Sequence, residues 1–276
     1  MMIETKLETA AALLRVNAEE REQGRFSDAT KQAALSALRR EGFVQLDDVL
    51  ARDHAAMLQS AYFDRYGGLQ PTDLDGRALL VGDKRYMVTI DVAGAFNDPL
   101  LYANPFFFPV VAQILGGEAV LDSFGVVCAF PGAPAQHIHV DHGPLFPDSP
   151  LDMMVPCFAV TVVLPLVDLD ASTGATAVWP GTHRERWVGQ PNPNSERAYV
   201  PVVGLGSVYL MDYRLVHSGR PNVTTRPRPI LYMIYSRPWF TDRANHTLQE
   251  RIRIAPEERA AVPEKYRPLF AHASLR

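Results

Sequence analysis

The stretch Gln136-His137-Ile138-His139-Val140-Asp141 decides how the rest of this sequence is interpreted. In a β-strand, residues i and i+2 point to the same face of the sheet. His139 and Asp141 are therefore expected to face one cavity together, while Val140 packs on the opposite side. The stretch predicts a short strand whose polar side chains converge on an internal site.

A metal-binding set follows from these two residues and one later histidine. Two imidazoles and one carboxylate are the ligand set of non-haem Fe(II) oxygenases, and they leave positions free for a bidentate organic ligand and O2. His217, which follows the strand-like run 206–212, is the candidate third ligand. Arg228 begins a later apolar run, and its planar guanidinium suits a dicarboxylate. We predict that His139, Asp141 and His217 are the metal ligands and catalytic residues.

The second half of the chain has the pattern of a β-protein. From residue 120 onward, short apolar runs are separated by Pro, Gly, Asn and Asp. Many short strands with turn residues between them are typical of a sandwich or barrel, and two layers with a pocket at the open end form a jelly roll. The predicted strands are 120–130, 136–141, 158–167, 175–179, 198–203, 207–211 and 230–237.

The first half predicts mostly helices. Apolar residues at helical spacing indicate a helix over 4–22, and Ser27 is expected to cap a second helix that stops at Gly42. A short strand at 43–46, a third helix at 52–66 and a fourth helix from Asn104-Pro105 to Gly116-Gly117 complete this part.

The expected fold class is therefore mainly β with flanking helices. It is a double-stranded β-helix (jelly roll, cupin-like) with N-terminal helices on one face. We expect a single domain over 1–276, with a helical part at 1–118, a jelly-roll core at 119–240 and a C-terminal tail at 241–276.

Composition limits the function classes. At 276 residues and 47% hydrophobic, the chain can bury a full core. Its net charge of −4 does not favour nucleic acid or anionic membranes, and its longest apolar runs are too short to span a bilayer. The N-terminus has no hydrophobic signal core. Cys128 and Cys157 lie in apolar runs and are expected to be reduced. We expect a cytoplasmic enzyme that binds a small-molecule substrate, with no nucleic-acid or membrane partner.

Three blocks and one arginine carry a family resemblance. They are PGAPAQHIHVD at 131–141, TGATAVWPGTHR at 173–184, DYRLVHSGRPN at 212–222, and Arg228. In this order they resemble the motifs of the phytanoyl-CoA dioxygenase family, over about residues 30–240. Two departures are mild: Thr173 stands where Asn is usual, and Thr182 where Ser is usual.

The resemblance implies an enzyme that uses Fe(II), 2-oxoglutarate and O2. The implied reaction hydroxylates a small metabolite, or desaturates or epoxidises it, and releases succinate and CO2. Natural-product biosynthesis is one setting in which such members act. Arg228 falls where the family keeps its 2-oxoglutarate arginine. The remaining cofactor-binding candidates are Gln136, Thr173 and a hydroxyl from Thr161 or Tyr232.

Several residues compete with these assignments. His137 shares the strand face of His139 and is the most serious rival, whereas His142 is expected at the pocket or the surface. His183 is expected in a turn. Arg226 competes with Arg228, and the family's spacing favours Arg228.

The long segment 143–156 beside the predicted metal strand could be a lid over the site or a crossover connection. Asp152, Arg184 and Arg237 are candidates to orient a polar group of the substrate. Trp179, Trp187 and Trp239 are expected mainly in the core or at a rim.

Two other function classes use the same residues. A jelly roll could hold a metal and a small ligand without turnover, and a Zn(II) hydrolase or isomerase could use the same three ligands. Neither class requires an arginine at the position of Arg228.

Overall fold

A twisted sheet of eight strands forms the centre of the molecule. The computed structural model describes residues 12–67, 78–245 and 250–275. The strands of the chain are β1 (Leu13–Arg15), β2 (Phe43–Asp47), β3 (Ala78–Gly82), β4 (Arg85–Thr89), β5 (Val120–Ala129), β6 (Ala159–Pro165), β7 (Thr176–Val178), β8 (Val208–Asp212), β9 (His217–Gly219), β10 (Arg228–Ser236), β11 (Arg253–Ile254) and β12 (Ser274–Leu275). The order in the large sheet is β1-β2-β8-β6-β10-β5-β4-β3.

Helices cover one face of this sheet. They are α1 (Ala18–Gln23), α2 (Asp28–Glu41), α3 (Arg52–Tyr66), α4 (Pro99–Tyr102), α5 (Phe108–Ile114) and α6 (Pro256–Ala261), with a 3-10 helix at Glu264–Phe270. Alternate residues of β10, Leu231, Met233 and Tyr235, join the same apolar core as helical residues such as Leu35 and Leu58. No described helix is long and apolar enough to cross a membrane.

The other face of the sheet is covered by a second, smaller β-layer. Strands β7 and β9 pair with each other, and isolated bridges join His139 to His217 and Val178 to Tyr199. Ile230 and Met211 from the large sheet pack with Val178 from the small one. The large sheet is thus buried on both sides, which confirms the predicted jelly roll with helices on one face.

Local signals placed the second helix and its flanking strand correctly. The Ser27 side chain accepts a hydrogen bond from the backbone N–H of Thr30, and α2 ends at Gly42, whose φ of 71° is left-handed. A side chain is strained in that conformation, so glycine suits the stop.

The predicted helix over 4–22 is correct for residues 18–22 and wrong for residues 13–15, and its first residues, 4–11, lie outside the described ranges. Leu13–Arg15 forms β1, which pairs in parallel with Gln45–Asp47. The helix α1 begins only after Asn17, which forms a capping box with Glu20. A long-range strand pairing therefore overrides the local helical spacing.

The predicted helical part at 1–118 also contributes four strands to the large sheet, including the hairpin of β3 and β4.

Two predicted strands are less regular than expected. The stretch 136–141 forms no regular strand and contacts β9 through the bridge at His139 and the hydrogen bond from the Gln136 N–H to the Gly219 carbonyl. The stretch 198–203 contributes only bridges at Tyr199 and Val203. The fourth helix predicted from the sequence corresponds to α5, which starts at Phe108 and not at Asn104. The Asn104 side chain instead accepts a hydrogen bond from the Phe106 N–H in the turn before α5.

Candidate active site

Two histidines and one aspartate form a preassembled cluster at the small sheet. His139 and His217 face each other across an antiparallel bridge with backbone hydrogen bonds of 3.0 and 2.9 Å. Asp141 follows two residues later on the same side, and its Oδ1 lies 3.4 Å from His217 Nε2. One ligand atom from each residue lies within 4.8 Å of the others, and the described residues contain no other cluster of this kind.

Backbone carbonyls orient both imidazoles. His139 Nδ1 lies 2.8 Å from the His137 carbonyl oxygen, and His217 Nδ1 lies 2.9 Å from that of Leu215. Because a carbonyl oxygen only accepts, each Nδ1 carries the proton and each Nε2 keeps a lone pair for a metal. Burial, followed by the nearby His217, lowers the pKa of His139 to about 3. The imidazole is therefore neutral, as a metal ligand must be.

Asp141 is held by hydrogen bonds to its side chain and to its backbone. The Thr161 hydroxyl on β6 donates a hydrogen bond of 3.0 Å to Asp141 Oδ2. The Asn245 amide donates to the backbone carbonyl of Asp141, and Asp242 binds both that amide and the Tyr213 hydroxyl. The segment after β10 therefore supports the strand that carries the carboxylate. The sequence alone does not predict a role for this segment, because its only local signal is the spacing of Asp242 and Asn245, which is typical of a turn.

Two arginines flank the same residue of β5. Arg228, at the start of β10, and Arg85, on β4, both pair with Ala129 from opposite sides. Arg228 is only 2% exposed and Arg85 is fully buried. Both side chains line the cavity that contains the His–Asp–His cluster.

Neither guanidinium has a carboxylate partner within the described residues. Arg85 donates to the carbonyls of Pro134 and Arg220 at 3.2 and 3.0 Å, but its Nε and Nη1 have no hydrogen-bond partner, and neither does Arg228 Nε. Burial and then the charge of Arg228 lower the pKa of Arg85 to about 10, and burial lowers the pKa of Arg228. Buried cations without counter-ions are costly, so this pair is suited to an anionic ligand.

Arg85 was missed by sequence reasoning. It begins the alternating run Arg85-Tyr86-Met87-Val88-Thr89, and an arginine on the inward face of a strand is a detectable signal. Its position beside Arg228 depends on the pairing of β4 and β10 with β5, which no local pattern encodes.

Gln136 and Gly219 lie around Arg85. The Gln136 amide donates to the Val81 carbonyl at 3.3 Å, and Gln136 lines the cavity. A Cβ on Gly219 would lie 3.1 Å from Gln136 Oε1 and 3.2 Å from Arg85 Cζ. The glycine two residues after His217 thus leaves room for the guanidinium.

The remaining cofactor-binding candidates are placed differently. Thr161 and Tyr232 line the cavity, and the Tyr232 hydroxyl is buried without a hydrogen-bond partner. Thr173 does not line it: its hydroxyl is bonded within a turn to Asp170. Thr176 on β7 lines the cavity instead and accepts a 2.8 Å hydrogen bond from Tyr209. The structure therefore places Thr176 in the cavity and Thr173 outside it, because the turn at 170–173 uses the Thr173 side chain.

The competing histidines and arginine lie outside the cluster. His137 is exposed at the cavity wall, and His142 packs against Phe158 and Phe240. His183 is buried in a turn, where its Nε2 lies 3.1 Å from the Arg39 carbonyl oxygen. Arg226 is exposed and does not line the cavity.

The segment 143–156 does not line the main cavity. Asp152 accepts a hydrogen bond from the Leu145 N–H within this segment, and together with Arg184 and Arg237 it lines a separate cavity of about 460 Å³. These three residues are therefore not placed to orient a substrate at the His–Asp–His cluster.

The tryptophans also lie away from the main cavity. Trp179 is buried and donates to the Asn194 carbonyl at 3.0 Å, and Trp187 packs on the same small apolar cluster. Trp239 is exposed beside Phe158.

Known proteins are similar to this chain in sequence or in fold. The phytanoyl-CoA dioxygenase (PhyH) family model matches residues 38–230. A dioxygenase of Aspergillus terreus, trt7, is 26% identical over 227 residues, which cover 78% of this chain and 76% of that protein.

Among solved structures, the α-ketoglutarate-dependent epimerase SnoN from nogalamycin biosynthesis has a TM-score of 0.62 and 16% identity, with 82% of this chain and 88% of that chain covered. HygX from Streptomyces hygroscopicus, solved with nickel and 2-oxoglutarate, has a TM-score of 0.55 and 15% identity, with 79% and 94% covered. These structures share the fold, and the family match covers most of the chain. The chain belongs to the phytanoyl-CoA dioxygenase family.

Proposed function

We propose that this protein is an Fe(II)- and 2-oxoglutarate-dependent oxygenase that oxidises a C–H bond of a small metabolite. One observation carries the proposal. A cluster of two histidines and one aspartate shares a cavity of about 540 Å³ with two buried arginines that have no carboxylate partner in the described chain. The first feature suits a metal and the second suits a dicarboxylate.

The donor set fits ferrous iron. His139, Asp141 and His217 would hold it through two neutral imidazole nitrogens and one carboxylate, with other coordination positions left for small ligands. When bound, the iron supplies O2 activation coupled to the conversion of 2-oxoglutarate to succinate and CO2. The carbonyls of His137 and Leu215 keep each Nε2 available, and Thr161 fixes the orientation of the carboxylate.

The arginine pair fits the charge of 2-oxoglutarate. Arg228 would bind its distal carboxylate, because a buried guanidinium can donate two parallel hydrogen bonds. Arg85 and Gln136 would orient the other acidic end from the adjacent wall. The buried hydroxyl of Tyr232 is available to donate one further hydrogen bond to the co-substrate. We place the substrate in the rest of the cavity.

The relatives support a small-molecule oxidation without fixing its outcome. SnoN is described with Fe³⁺, α-ketoglutarate and nogalamycin RO, and HygX with nickel, 2-oxoglutarate and hygromycin B. Trt7 is named a dioxygenase and SnoN an epimerase. We propose hydroxylation as the reaction of this chain, with desaturation or epoxidation as the alternative outcomes, in natural-product biosynthesis.

A turnover assay tests the proposal. Purified protein is incubated with Fe(II) and 2-oxoglutarate, with and without O2, and succinate is quantified by mass spectrometry. Oxygen-dependent succinate that disappears in His217→Ala and in Arg228→Ala supports the oxygenase. If a metal binds but no succinate forms, with or without an extract of small metabolites, the protein is a metal-holding binding protein. Hydrolysis that depends on Zn(II) and survives Arg228→Ala would identify the hydrolase.

A further inference from the structure

We infer that the substrate of this enzyme is a neutral, mostly apolar small molecule, an inference that rests on the proposed function. After the metal and 2-oxoglutarate sites are set aside, the wall of the cavity that remains comes mainly from β3, β4, β5 and β10. Its apolar lining residues include Leu79, Val81, Met87, Val127 and Ile234. They favour an apolar surface over a hydrated one.

The charged groups of the cavity are already used. Asp141, His139 and His217 form the metal cluster, and Arg85 and Arg228 face the dicarboxylate. Among the described lining residues, this leaves no lysine, arginine or carboxylate for the substrate.

The remaining polar side chains have few free groups. Thr161 donates to the metal-binding carboxylate, and Thr176 accepts from Tyr209. Tyr213 donates to Asp242. His137 and Asn245 are the polar side chains at the open side of the cavity, and they are exposed. They provide for one or two hydrogen-bonding groups on an otherwise apolar molecule.

The position of β3 strengthens this inference. It is the last strand of the large sheet, and Leu80 on it is 63% exposed. Exposed edge strands usually carry charged residues or proline, which prevent association with other strands. This edge strand instead carries apolar residues: Leu79 and Val81 line the cavity, and Leu80 pairs with Tyr86 on the opposite face. Covering this wall with an apolar substrate would remove apolar surface from water, which stabilises the bound state.

The same wall disfavours two other substrate classes. A coenzyme A thioester carries several phosphate charges, and a polyhydroxylated sugar carries many donors and acceptors. Either would leave polar groups without partners against this surface, which is costly when they are buried. A cavity of about 540 Å³ suits a single small molecule.

A matched pair of compounds tests the inference on the unmodified protein. The full chain is loaded anaerobically with Fe(II) and saturating 2-oxoglutarate. Binding of 2-naphthalenemethanol and of its sulfate ester is then measured by equilibrium dialysis. The two share one ring system and differ in a single charge. We expect the neutral alcohol to bind at least tenfold more tightly. Equal or tighter binding of the sulfate ester would overturn the inference.

A pair of variants locates the binding surface. Leu79→Asp places a carboxylate on the apolar wall at a half-buried position opposite Met87. Val223→Asp is the control, because Val223 is 72% exposed and does not line the cavity. Leu79→Asp should raise the Kd of the neutral alcohol at least tenfold, and Val223→Asp should leave it unchanged. Equal effects of the two variants would also refute the inference.

The outcome is separable from that of the proposed function. Oxygen-dependent succinate together with a preference for the sulfate ester would keep the oxygenase and reject the apolar substrate. Preferential binding of the alcohol without any succinate would keep the apolar cavity and reject the oxygenase.

Discussion

Replacing Arg228 with methionine should raise the stability of the metal-loaded protein and at the same time weaken 2-oxoglutarate binding. Arg228 is 2% exposed, its Nε has no hydrogen-bond partner, and no carboxylate pairs with it in the described chain. Burying a charge without a counter-ion is costly, and replacing buried charged groups with apolar ones of similar volume can stabilise a protein by about 1–4 kcal/mol. Methionine fills similar space without the charge.

The effect on the co-substrate has the opposite sign. Losing a charge-assisted bidentate pair and leaving a carboxylate unpaired costs about 2–5 kcal/mol. At about 1.4 kcal/mol for each factor of ten, the Kd of 2-oxoglutarate should rise about 30-fold to 4,000-fold.

Thermal unfolding of the Mn(II)-loaded protein, with and without 2-oxoglutarate, measures both effects. The wild-type Tm should rise on adding 2-oxoglutarate, because a ligand that binds the folded state stabilises it by mass action. Without 2-oxoglutarate, Arg228→Met should have a higher Tm than the wild type, and adding 2-oxoglutarate should raise that Tm only slightly. Arg226→Met is the matched control, because Arg226 is exposed two residues earlier. A lower starting Tm with an unchanged 2-oxoglutarate shift, or the same behaviour in the control, would refute this reasoning.

Three further predictions concern the same site. His139→Ala should abolish stoichiometric Fe(II) binding in equilibrium dialysis, whereas His137→Ala should retain it. The reverse result would show that His137, and not His139, is the metal ligand. Gly219→Ala should raise the Kd of 2-oxoglutarate at least tenfold in calorimetry, because the new Cβ would lie 3.2 Å from Arg85 Cζ; an unchanged Kd would show that Arg85 does not touch the co-substrate. The wild-type enzyme should form no chlorinated product in high chloride, because the Asp141 carboxylate takes the position a chloride would need; a chlorinated product by mass spectrometry would contradict this.

The parts of the site that are local in sequence were predictable. The alternation of His139 and Asp141 placed both on one face because strand geometry alone decides it. The parts that depend on strand register were not. Arg85 reaches the cavity because β4 and β10 both pair with Ala129, and Asn245 reaches Asp141 from 104 residues away.

The fold shows the same division between local and long-range information. Ser27 and Gly42 delimited α2 correctly, because capping and a left-handed stop act within a few residues. The spacing around Leu14 predicted a helix, but pairing with Leu46 makes it a strand. A pairing partner more than thirty residues away cannot be seen in a local window.

The strand order of the large sheet has a consequence for how the chain is made. Phe43 on β2 pairs with Met211 on β8, so one edge of the second strand waits for about 170 more residues before its neighbour on that side exists. At about 5–20 residues per second, that interval is roughly 8–34 s. Throughout it, the edge of β2 that later pairs with β8 has unpaired backbone groups. We therefore expect the large sheet to close only after β8 has left the ribosome.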